Sequence, residues 1–219
     1  MESEKEKKEE STYTTWIKRL PDKLLVIGYV LLTITSLEHL WKSSVNSFTT
    51  IRNILFIMGF GSIGYAHYQI VTQQHKFDDV TSYYEQMNIQ FPHIFDIVRF
   101  GNVSVVFYAI LSIIQSYMNI EPKLDTIIIQ KEILTKHYLF GLPIDAYGTL
   151  LSHTLLTYAI LNDTTMDVSL PFYILSMIML YNAYHISYDV SKTINKIGLI
   201  GSASLAIGYT GILIHKLIK

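Results

Sequence analysis

Residues 94–117 read IFDIVRFGNVSVVFYAILSIIQSY. The stretch is apolar almost throughout, and its only ionisable side chains, Asp96 and Arg99, stand near its start. A helix that crosses a bilayer needs roughly 17–25 mostly apolar residues, and this segment meets that length. Four others do the same: Leu24–Trp41, Ile51–Thr72, the shorter Ala146–Leu161, and Leu170–Tyr188. A sixth, Ile197–Leu217, is rich in Gly, Ala and Ser, residues that let helices approach closely in lipid. The reading is an all-α, polytopic membrane helix bundle.

Composition agrees. Half of the 219 residues are hydrophobic and only 16% are charged, against about 25% in a soluble domain. Much of that charge sits in MESEKEKKEE at the start, so residues 1–22 read as a flexible charged tail and residues 23–219 as the transmembrane domain. The net charge of −1 gives no reason to expect a nucleic-acid partner. The absence of cysteine excludes disulfides, thiolate catalysis and iron–sulfur ligation. The tail is too polar for a secretory signal peptide. Lys5, Lys7, Lys8, Lys18, Arg19 and Lys23 precede the first crossing, so the N-terminus is expected in the cytoplasm.

One segment is ambiguous. Leu124–Leu142, LDTIIIQKEILTKHYLFGL, carries Lys131, Glu132, Lys136 and His137. By composition it either lies in the interface, leaving six crossings, or crosses with its polar face buried or paired, making seven. Asn162–Ser169 and Asp189–Lys196 read as short turns, and Gln73–His93 as the longest connection.

Ionisable groups at bilayer depth cost about 2.5–3.5 kcal/mol on insertion scales, so each one needs a reason. Glu38 and His39 close the first segment, and His67 lies in the second. Asp96 and Arg99 are three apart in the third and share a helix face, either as a helix-end ion pair or as part of a buried polar cluster. Ser152, His153, Asn182 and His185 follow in later segments. Two histidines on separate helices are weak grounds for haem. Ser62, His67, Asp96 and His185 would make a hydrolase or zinc site only by converging in space. No catalytic or metal-ligating set is assigned.

A family resemblance runs through these patterns in order. FGSIGYAHYQIV (60–71), IFDIVRFGNVS (94–104), YLFGLPID (138–145), GTLLSHTLLTYAIL (148–161), DVSLPFYILSMIMLYNAYHISYDVS (167–191) and LIGSASLAI (199–207) resemble helices two to seven of the heliorhodopsins, seven-helix retinal proteins with a cytoplasmic N-terminus. The resemblance implies seven transmembrane helices, with Leu124–Leu142 as the fourth and the C-terminus on the far side. It also implies two losses. The family's retinal lysine falls on Ser202, and its counterion glutamate falls on Arg99, with Asp96 at the preceding arginine. A serine cannot form an imine, so no covalent cofactor is expected.

The expected role is then receptor-like, interaction or structural. The partners are the lipid bilayer and a homodimer or larger membrane complex. A competing register keeps retinal: Lys196 in SKTINKIGLIG, or Lys192, resembles the lysine of proteorhodopsin-type sequences, and Asn102 in RFGN takes the place of their acid. A membrane enzyme acting on lipid is the third reading. The polar candidates for the bundle are therefore His67, Asp96, Arg99, Asn102, Ser152, His153, Asn182, His185 and Ser202.

Overall fold

The computed structural model describes residues 2–42, 47–72, 83–118, 138–139, 142–187 and 193–217. Among these the chain forms seven helices: α1 (Glu2–Lys42), α2 (Ser47–Thr72), α3 (Tyr83–Gln90), α4 (Pro92–Tyr117), α5 (Ile144–Asn162), α6 (Ser169–Ile186) and α7 (Thr193–Leu217). Four contain stretches long and apolar enough to cross a membrane: Arg19–Glu38 within α1, all of α2 and α4, and Thr193–Ile214 within α7. Helices α5 and α6 are shorter, at 19 and 18 residues. Two-residue strands, β1 (Tyr138–Leu139) and β2 (Leu142–Pro143), pair antiparallel just before α5.

The six long helices form a closed ring, each packed on its neighbour in sequence, with α7 closing onto α1. Contacts along each seam fix the directions. Between α1 and α7, Gly28 meets Leu205, Gly208 meets Leu25, and Gly211 meets Pro21. Between α2 and α4, Arg52 bonds Gln115, Phe56 touches Tyr108, and Gly59 packs on Val105. Rising numbers on one helix meet falling numbers on the other, so both pairs are antiparallel. The glycines matter because they remove side-chain bulk at the crossing. A Cβ on Gly28 would sit 2.5 Å from a Leu205 carbon, and one on Gly101 would sit 3.0 Å from the Gly59 carbonyl oxygen. Contacts this close give dispersion the main role where lipid removes any hydrophobic drive between helices.

The outside of the ring is apolar. Ile27, Val30, Ile34 and Leu37 on α1, and Leu170, Tyr173, Met177, Leu180 and Tyr184 on α6, are all more than 40% exposed. Continuous apolar stripes of this kind suit lipid and not water.

Two sequence expectations meet the structure here. The connection Gln73–His93 contains α3, a short helix whose Tyr83, Tyr84 and Met87 are buried in the end of the ring. Eight residues, four of them Glu, Gln or Asn, carry too little periodicity to announce a helix. The crossing expected of Leu124–Leu142 falls largely outside the described residues. Its flanks, however, meet at one end of the ring: the Tyr147 hydroxyl of α5 hydrogen-bonds the Tyr117 hydroxyl of α4 at 3.4 Å. Pro21 and Gly211 are likewise in contact, so the start of the apolar part of α1 and the end of α7 lie together.

Candidate functional site: a neutral polar cluster inside the ring

The centre of the ring is filled by aromatic rings bearing polar atoms. Tyr29 of α1 stacks on His67 of α2, with centroids 5.9 Å apart and planes at 12°, and packs edge-on against Phe60 at 5.2 Å. Its hydroxyl hydrogen-bonds that of Tyr209 on α7. From α3, Tyr83 approaches His67 at 6.5 Å and Phe172 of α6 at 5.4 Å. Phe172 packs on Tyr209 at 5.1 Å, so α1, α2, α3, α6 and α7 all contribute. Burial pushes the Tyr83 and Tyr84 hydroxyls above the usual tyrosine range, which keeps both as neutral hydrogen-bonding groups.

A second part of the cluster links α3, α4 and α5. Asn102 is 1% exposed. Its amide nitrogen donates to the Val98 carbonyl at 2.9 Å, and its Oδ1 lies 2.9 Å from His153 Nδ1. The Tyr84 hydroxyl also hydrogen-bonds the Asn102 side chain. An amide oxygen only accepts, so His153 Nδ1 carries the hydrogen and Nε2 is left a bare acceptor. That Nε2 is buried without a hydrogen-bond partner among the described residues, as is His67 Nδ1.

The other sequence candidates divide. Ser152 is buried but turns back on its own helix, donating to Gly148 O at 2.8 Å. Ser202 is buried on α7 and Asn182 is half-buried on α6. His185 is buried near the other end of the ring, against Tyr181 at 4.2 Å and Tyr184 at 5.2 Å. Asp96 and Arg99 do pair, at 3.1 Å, but their side chains are 68% and 43% exposed, and Arg99 lies over the Phe95 ring at 5.2 Å. They form a helix-end ion pair and not a bundle-core cluster with His67. Lys196 is exposed in the first turn of α7, and Lys192 lies outside the described residues.

Ser62, His67, Asp96 and His185 are not brought together, and among the described residues no three His, Asp or Glu side chains converge as a metal site would need. What the sequence reading missed are the hydroxyls of Tyr29, Tyr84 and Tyr209. Tyrosine serves packing and interfacial belts equally well, so only its pairing across helices reveals this role. Comparisons with protein-family models, curated proteins and solved structures yield no match.

Proposed function

We propose that the chain is an integral membrane protein of six crossings that acts as a receptor-like, interaction or structural subunit and carries no covalent chromophore. The observation that supports this most is the content of the ring. Among the described residues, the fully buried polar side chains are Thr, Ser, Asn, Gln and His, while the charged Asp22, Lys23, Arg52 and Asp145 are only half-buried and stand toward the helix ends. A Schiff base needs a lysine inside the bundle, and acid–base chemistry on lipid generally needs a carboxylate or a base held by one. Neutral amide, imidazole and phenol groups instead make a hydrogen-bonded core that fixes one packing.

The parity of the connections supports six crossings. Helix α5 starts at the end of the ring where α4 stops, so the stretch between them returns to the side it left. With the lysine-rich flank in the cytoplasm, both ends of the apolar domain then face the cytoplasm. In this reading the heliorhodopsin resemblance bears on descent, with Ser202 at the lost lysine.

Purification with added all-trans retinal tests the chromophore. The protein is expected to show only free-retinal absorbance and no adduct after borohydride. A red-shifted band that disappears in Lys196→Ala overturns the reading. The cysteine-free chain also permits a topology test. Single cysteines at Ser11 and Lys219 are expected to label from the same side, and opposite labelling refutes six crossings.

A further inference from the structure

The ring is not equally tall all the way round. Helix α6 has 18 residues and α5 has 19, about 27 and 28 Å of axis at 1.5 Å per residue. Both ends of α6 are tied to exposed polar structure. Before it, the exposed Asp167 accepts from Ser169 N at 2.8 Å, and the exposed Asp163 accepts from Thr165 N at 3.1 Å. After it, the exposed Ser187 donates its N–H to the Ala183 carbonyl at 3.0 Å, and the helix stops there. Irregular backbone that faces lipid does not stand within hydrocarbon, because its polar groups would go unsatisfied. On this side of the ring the hydrocarbon is therefore no thicker than α6 is long, and thinner wherever that helix tilts.

The longer helices agree. Helices α2 and α4 have 26 residues each, about 39 Å of axis. Their exposed apolar side chains cover much less. Ile51 to Tyr68 on α2 and Phe100 to Tyr117 on α4 each span about 26 Å. On α7, Ile200 to Ile214 span about 21 Å and follow the exposed Lys196. The largely exposed Asp96–Arg99 pair stands immediately before Phe100 and marks the edge of the band on α4. Exposed tyrosines lie near both edges: Tyr68, Tyr158 and Tyr173 toward one end of the ring, Tyr117 and Tyr184 toward the other. That is where an interfacial aromatic belt stands.

We propose that the outer surface of the ring is matched to a thin bilayer, with a hydrocarbon core of about 25 Å in place of the usual 30 Å, and that the α5–α6 side sets this limit. The lipid partner is then one of short or unsaturated chains, poor in sterol. A sterol- and sphingolipid-rich membrane, at about 32–33 Å, would draw the Asp167 turn or Ser187 into hydrocarbon. A long helix relieves a mismatch by tilting, but tilting a short one shortens its span further. The remaining response to a thicker bilayer is to thin the lipid beside α5 and α6, and the cost of doing so sorts the protein toward thin membranes. The proposal rests on the six-crossing reading, in which α5 and α6 both span.

Thermal unfolding of the full chain, read by circular dichroism in nanodiscs of dipalmitoleoyl, dioleoyl, dieicosenoyl or dierucoyl phosphatidylcholine, tests the match. The melting temperature is expected to be highest in the dipalmitoleoyl or dioleoyl lipid and several degrees lower in the dierucoyl lipid. An optimum in either of the two longer lipids, or no dependence on chain length, overturns the proposal. The cysteine-free chain also lets the width of the band be read on α6 itself. Leu170 and Ser187 are about 26 Å apart along the helix axis, with Met177 between them. In dioleoyl nanodiscs, Leu170→Cys and Ser187→Cys are expected to react with a water-soluble maleimide and Met177→Cys to resist it. Protection of Leu170→Cys or Ser187→Cys overturns the thin band. Should a cysteine variant fail to fold, the lipid series on the wild-type chain decides. Reaction at Met177→Cys as fast as at Ser187→Cys, or release of the chain from membranes by alkaline carbonate, would refute the membrane reading itself, separately from the thickness.

Discussion

Replacing Asn102 with leucine tests whether the neutral cluster holds the ring together. The two side chains branch alike and leucine is the larger, so the change removes hydrogen bonds and opens no cavity. Asn102 serves His153 Nδ1 at 2.9 Å and the Tyr84 hydroxyl, and donates to the Val98 carbonyl at 2.9 Å. The Val98 carbonyl keeps its partner within the helix. The other two groups lose theirs in a dry setting, at about 1–3 kcal/mol for each orphaned donor. Interhelical hydrogen bonds within membranes average nearer 0.6 kcal/mol, because the separated helices also find partners. Weighing the two, Asn102→Leu should cost about 2–4 kcal/mol. For a chain of this size that lowers the melting temperature by about 4–16 °C, read by circular dichroism in detergent. His153→Phe removes the stranded imidazole at similar bulk, so the double variant should be less damaged than the sum of the singles by about 1–2 kcal/mol. Additive losses, or a single loss below about 0.5 kcal/mol, would show that the Asn102–His153 bond carries little of the stability.

Arg99→Ala should lower the melting temperature by no more than a surface Lys→Ala does, since the Asp96 pair is largely exposed and such pairs give about 0–1 kcal/mol; a drop of 10 °C or more would place the pair in the core after all. Gly101→Ala should be poorly tolerated, because its Cβ would lie 2.8 Å from Ile63 Cγ1 and 3.0 Å from the rigid Gly59 carbonyl. By contrast, Gly61→Ala should be near neutral, as its nearest contact is 3.8 Å away; equal melting temperatures for the two variants would contradict the packing. Stability should hold steady through neutral pH and fall above about pH 10, the ordinary tyrosine pKa. Burial raises Tyr83 and Tyr84 above that value, so the contribution is whole below it and is lost as the unfolded chain begins to ionise. Tyr83→Phe should shallow this fall, and an unchanged alkaline slope would refute the assignment.

The helices were legible because apolar runs of membrane length leave few alternatives. His67, Asn102 and His153 were legible for the same reason: a polar residue stands out at that depth. Their partners were not. Tyr29 and Tyr209 are 180 residues apart, and nothing in either segment says that the two hydroxyls meet. Asp96 and Arg99 show the opposite limit. Their spacing gave the pair, but their exposure depends on how α4 is rotated in the ring, and spacing does not encode that. The number of crossings was hidden in one segment whose composition suits the interface and the interior equally. The support for the six crossings proposed above comes from the contact of Tyr117 with Tyr147, which lie outside that segment.

The closure of α7 onto α1 has a consequence for biogenesis. The groove at Gly28 that receives Leu205 is made early, and its filler arrives only after about 150 further residues, those from 43 to 192, have been synthesised. At roughly 5–20 residues per second this takes about 8–30 s. During that interval the face of α1 that carries Gly28 rests against lipid or an insertion chaperone. Substitutions along it should therefore reduce the yield of inserted protein by diverting α1 to other partners, even where the finished ring tolerates them.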